Sequence, residues 1–175
     1  MSSGEGFGSF VVVPDRSALV IDARSNVGPI TFVALGIEGT ITVGTQGGEL
    51  DINAAADARL TLEISRLTSG NGLYDAELQR RIDARRYPEA VVEMRDIRLL
   101  GPTSYAVTGE VTLHGVTRQI DGAVSATVEN EEKIIVDGEQ SFDIREYGIS
   151  APAVLMLRIF PDVRVRLHLE AERAR

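Results

Sequence analysis

The feature that most constrains this chain is an alternation of apolar and polar residues that recurs along most of its length. In VRVRLHLEA, Val163, Val165, Leu167 and Leu169 fall on one side, and Arg164, Arg166, His168 and Glu170 on the other. A period of two belongs to an extended strand, whose successive side chains point to opposite faces. The same pattern places Ala58, Leu60, Leu62 and Ile64 together, and likewise Tyr105, Val107, Val111 and Leu113. Val116, Ile120, Val124 and Val128 share a face, as do Ile134, Val136, Phe142 and Ile144, and Ile37, Ile41 and Val43. SALVIDAR and EAVVEMRDI are shorter and noisier strand candidates. Turn-like pieces (TQGGE, NAAAD, LGPTS, ENEEK) separate the runs. The spacing predicts about eight to ten strands in an antiparallel all-β sandwich or barrel with one wet face.

One segment departs from this period. In GNGLYDAELQRRIDARRYP, Tyr74, Leu78 and Ile82 recur at helical spacing, Asn71 can cap the start and Pro88 bars continuation. This predicts one short amphipathic helix near residues 72–84. No repeat, linker or composition break divides the chain, so residues 1–175 read as a single domain, with 1–9 flexible.

Composition narrows the function. The formal charge is −8, which repels phosphate backbones and excludes nucleic acid as a partner. The chain has no cysteine, hence no disulfide and no thiolate metal site. No window approaches the ~20 apolar residues of a membrane helix, and the N-terminus lacks a signal-like core. As written, the sequence predicts a soluble cytoplasmic protein. It leaves a homodimer open.

Catalytic groups are sparse. His168 lies on the polar face of its strand and reads as exposed. His114 sits beside Gly115 between two strand patterns, where a turn residue is the simpler reading than a catalytic or metal-binding one. No metal-ligand spacing surrounds it. GNG before the helix has the context of an anion site but reads as a plain turn, and Asp51-x-Asn53 lacks the rest of a calcium loop. Glu129, Glu131 and Glu132 read as a solvated tip. Arg80, Arg81, Arg85 and Arg86 cluster in an acidic chain, either as a solvated helix face or as a basic rim for an anionic head group.

GEVTLHGVTRQI resembles the signature of the YceI-like family through Gly109, Thr112, His114, Gly115, Val116, Thr117 and Arg118. Asp75, Leu78, Asp83, Tyr87 and Pro88 are similar to that family's helix segment, and Arg145, Tyr147, Gly148 and Ile149 to its R-x-F-G-I stretch. The order is kept from about Phe10 to Glu172. Glu77 stands where the family often has His, and Ile82 where it often has Phe. The resemblance implies an eight-stranded antiparallel lipocalin-like barrel with no catalytic residue, metal or resident cofactor. It implies a non-enzymatic binding or carrier protein for an apolar lipid, a polyisoprenoid or isoprenoid quinone, and a family commonly periplasmic or secreted. His114, Gly115 and Thr117 then become a structural motif at a bend. Interior candidates are Leu60, Leu62, Val92, Met94, Tyr105, Val107, Val124, Phe142, Ile144, Leu155 and Leu157, with Met156 beside them. The alternative is a barrel filled by these side chains, serving as a stress-related or protein-interaction module.

Overall fold

The structure is a computed structural model that describes residues 6–54 and 56–175. In chain order the strands are β1 (Gly6–Val12), β2 (Ala18–Ser25), β3 (Gly28–Leu35), β4 (Glu38–Gln46), β5 (Glu49–Asp51) and β6 (Asp57–Glu63). Helix α1 (Gly72–Ile82) follows, then β7 (Glu89–Leu99), β8 (Ser104–Leu113), β9 (Val116–Glu129), β10 (Lys133–Asp143), β11 (Ala153–Val154) and β12 (Leu157–Arg173).

These segments form eight walls of one closed antiparallel barrel. β1 and β2 both pair with β12 and act as one long strand, broken at Pro14 where a 3-10 turn intervenes. β3 and β4 pair with β2 and β1 in the same way, broken at Gly36. The two breaks lie side by side, with the Gly36 amide donating to the Pro14 carbonyl at 3.1 Å. Around the ring the order continues β4–β6–β7–β8–β9–β10–β12, and β12 returns to β1. β5 and β11 are short additions to β4 and β12. Gly6–Ser9 pair with Thr42–Thr45, so β1 begins inside the stretch read as flexible; residues 1–5 lie outside the described residues.

Inward rows follow the sequence alternation. β8 turns in Tyr105, Val107, Gly109 and Val111, the last three opposite the inward Ile97, Met94 and Val92 on β7. The irregularity in β7 has a local cause. Met94 and Asp96 pair with the consecutive residues Gly109 and Thr108, leaving Arg95 as an extra residue. This bulge shifts the phase, so Ala90, Val92 and Met94 point inward before it and Ile97 after it. Gly109 permits the close approach, because a Cβ there would lie 2.2 Å from the Glu93 carbonyl oxygen.

Helix α1 forms as its sequence predicts. The Asn71 side chain accepts the amides of Leu73 and Tyr74, and Asp83 ends the helix with a left-handed φ of 55°. The helix packs Leu78 and Ile82 over one end of the barrel, joined there by Tyr147, Ile149 and Pro152. At the opposite end the β4–β5 turn folds over Tyr105, whose hydroxyl accepts the Leu50 amide at 3.2 Å. The Glu131 carboxylate reaches this turn, accepting the Thr45 hydroxyl and, at 3.3 Å, the Gly48 amide. Glu131 is therefore a structural tie, and only the rest of the acidic tip is solvated.

Candidate functional site

The inward side chains do not fill the barrel. Two apolar cavities lie inside it, about 180 Å³ at the helix end and about 210 Å³ at the other. Both are lined by Leu19, Val92, Val111, Phe142 and Val165, which form a waist between them. Leu62 and Ile144 line the first cavity, and Leu60, Met94, Val107 and Val124 line the second. Among the interior candidates, Tyr105 and Leu157 are buried but line neither cavity: Tyr105 is packed under the end turn and Leu157 in the core beside β11. Leu155 is a correction. It stands with Met156 at the tip of the β11–β12 turn, between the paired Val154 and Leu157, and is 97% exposed. Its φ of 54° marks a turn residue, not a strand residue facing inward. Sequence reading passed over Leu19 and Ile21, which lay in the noisy SALVIDAR segment, and Phe32 and Ile97.

The arginine cluster divides. Arg80 and Arg81 turn back on the buried Glu77 carboxylate at 2.8 and 2.7 Å, three and four residues along the helix. Glu77 also accepts the Ala153 amide at 3.3 Å, and Arg81 donates to the Ser150 hydroxyl at 2.9 Å. The group pins α1 to β11 and the segment just before it. Burial pushes the Glu77 carboxyl upward, but the two guanidinium groups and the amide outweigh it and hold the acid below its usual range. Arg85 and Arg86 are exposed beyond the helix, with Arg86 placed over the Tyr87 ring at 5.3 Å. Two of the four arginines are thus tied to Glu77, and the other two extend beyond the helix.

His114 and Gly115 are the central residues of the β8–β9 turn, with φ of 55° and 71°. Two successive left-handed residues are the signature of the tight hairpin that matches strand twist. Around the turn, the Thr112 and Thr117 hydroxyls bond each other at 2.7 Å. The His114 Nδ1 lies 3.0 Å from the Tyr147 carbonyl oxygen, and its ring meets the Tyr87 ring edge-on at 5.2 Å. A Cβ on Gly115 would sit 2.7 Å from the Tyr87 ring. The hairpin is therefore clamped between the chain leaving α1 and the 3-10 turn Ile144–Tyr147. Burial, with the Glu146 charge adding to it, raises the Tyr147 phenol above its ordinary range.

The minor motifs resolve locally. The helix N-terminus is taken up by its own cap. The Asp75 carboxylate, pushed up by burial, is lowered more by bonds from the Ser69 hydroxyl and amide and the Thr68 hydroxyl. Asp51 accepts the Asn53 amide at 2.9 Å in a simple side-chain turn. His168 is half-buried, with Nδ1 2.7 Å from the Asp137 carboxylate on the outer wall. Among the described residues no three His, Asp or Glu side chains converge as metal ligands, and no helix is long and apolar enough to cross a membrane.

A closed eight-stranded antiparallel barrel with one helix has the lipocalin-like architecture. The chain matches the YceI-like domain over residues 10–171 and belongs to that family. It is 29% identical over 91 residues to a UPF0312 protein of Pseudomonas putida (strain W619); the match spans 48% of this chain and 46% of that relative, under half of each. Solved structures of low sequence identity share the fold. A polyisoprenoid binding domain from Saccharophagus degradans, implicated in plant cell wall breakdown, superposes with a TM-score of 0.74 at 15% identity, covering 97% of this chain and all of that one. Burkholderia cenocepacia BcnA gives 0.75 at 18% identity, covering 91% and 98%.

Two outcomes follow from the clamps. Glu77→Gln destabilises the protein by about 1–2 kcal/mol at neutral pH in urea unfolding. Because the folded pKa is depressed, this stabilisation is complete above the unfolded glutamate value and is lost as pH falls through the folded one. The gap between wild type and variant therefore closes in acid; a gap independent of pH contradicts the ion-pair account. His114→Ala costs about 1 kcal/mol in the same assay and leaves the affinity for apolar probes unchanged. Normal stability with binding abolished would overturn its structural role.

Proposed function

We propose that this protein is a non-enzymatic carrier that holds the chain of a polyisoprenoid or isoprenoid quinone-like lipid in the barrel. The observation that carries this reading is the pair of apolar cavities meeting at the Leu19–Val92–Val111–Phe142–Val165 waist. A long slim chain can run through both, gaining about 0.8 kcal/mol for each buried CH₂. A compact polar substrate finds little in the first cavity, which is lined by aliphatic and aromatic residues throughout. The family's structural relative described as polyisoprenoid binding supports the same ligand class.

A second reading rests on the outer tip of the β2–β3 and β11–β12 turns. Val27, Leu155 and Met156 are exposed there by 69%, 97% and 89%. Asn26 ties the two turns together, donating to the Met156 carbonyl and accepting the Arg158 amide, each at 2.8 Å. An apolar tip of this kind suits a protein-interaction role.

The test is a titration with all-trans-retinol, a fluorescent isoprenoid alcohol. Wild type binds it saturably, and Val165→Phe, which fills the waist, raises Kd by at least roughly tenfold, about 1.4 kcal/mol. Absence of saturable binding by a folded wild type, or equal affinity in the variant, contradicts the carrier reading.

A further inference from the structure

We propose that the ligand enters and leaves sideways, through a window in the barrel wall between β9 and β10. This rests on the carrier reading above. The two strands pair from Glu129–Lys133 only as far as Val124–Gly138. Beyond that point β9 continues on β8 down to Val116, and β10 continues on β12 to Asp143, without pairing each other. The lower sill of the opening is a side-chain bond: Arg118 Nε donates to the Glu146 carbonyl at 3.0 Å. The His114–Tyr147 contact holds the same edge just below it.

Register shows what faces the opening. Ile120 and Gly122 lie opposite the inward Gly109 and Val107, and Gln140 and Phe142 opposite the inward Val165 and Val163. All four are half-buried, whereas Ala126 and Ile134, within the paired part of the ladder, are 3% and 1% exposed. Gly122 and Gly138 put no side chain into the gap. Gln140 extends across it, its Oε1 3.2 Å from where a Gly122 Cβ would stand.

Hollows on either side of the wall border the same residues here. An outer hollow of about 470 Å³ and the inner 210 Å³ cavity share four lining residues: Ala123, Gly138, Glu139 and Leu167. Both barrel ends, by contrast, are covered, one by α1 with Tyr147, Ile149 and Pro152, the other by the turn over Tyr105. The single bridge between Val33 and Thr68 is the other thin seam, but Phe32, Leu62, Ile64 and Leu67 behind it are at most 6% exposed. The unpaired edges of β9 and β10 carry backbone donors and acceptors that water solvates in the free protein. A hydroxyl or carbonyl head can take the place of that water while the apolar chain slides inward past Gln140.

The experiment bridges the window in one protein. The chain has no cysteine, so a Gly122→Cys, Gln140→Cys double variant carries the two thiols alone. Retinol association and dissociation are followed by stopped-flow fluorescence before and after linking them with a three-carbon bis-alkylating reagent. Bridging slows both rate constants by at least roughly tenfold relative to the same double variant before it is bridged. Gln140→Ala, with a wider opening, exchanges faster than wild type. If wild type and bridged protein both bind retinol but exchange at one rate, the ligand uses another route and only the window falls. If wild type binds no retinol, the carrier reading falls and the window with it.

Discussion

Eight strands closed into a barrel enclose a space that only their own inward side chains, or a guest, can fill. Everything else in this protein answers to that closure. The inward rows are drawn mainly from Val, Ile and Leu, and the chain has no Trp. These side chains pack firmly at the two ends but leave the middle open as two cavities around a waist. An unfilled apolar space is expensive: at roughly 24 cal/mol per Å³, a cavity of about 210 Å³ forgoes about 5 kcal/mol of packing. A barrel that keeps such a space gives up stability that an apolar guest restores on binding.

The polar devices make sense as supports for this hollow wall. Glu77 with Arg80 and Arg81 fastens the helix that stoppers one end. Glu131 with Thr45 and Gly48 fastens the turn that covers the other. The His114–Gly115 hairpin is fixed to the 3-10 turn after β10, where the β9–β10 ladder has already stopped. The family's most recognisable motif therefore sits at the edge of the weakest stretch of wall, and its chemistry is that of a brace.

Most of the fold was legible because each strand has one wet face, which writes the register directly into the sequence. Leu60, Leu62, Val107, Val124 and Phe142 were found by period alone. The failures have definite causes. The Arg95 bulge breaks the phase of β7, and Pro14 and Gly36 divide two wall strands into four segments. Leu155 was misplaced because a two-residue turn interrupts an apolar run, and hydrophobicity alone does not reveal a turn. The helical spacing of Glu77, Arg80 and Arg81 was visible, but not the burial of Glu77, which depends on the distant Ala153. The separation of β9 from β10 left no local signal, since both strands remain regular against their other neighbours.

The hollow interior, we propose, exists for an apolar chain. Mass spectrometry of the organic extract from protein purified out of its native cells tests this most directly. A prenyl-chain lipid released in stoichiometric amount is the expected result. Protein that is folded, hollow and free of any such lipid, and that takes none up from a native lipid extract, would contradict it.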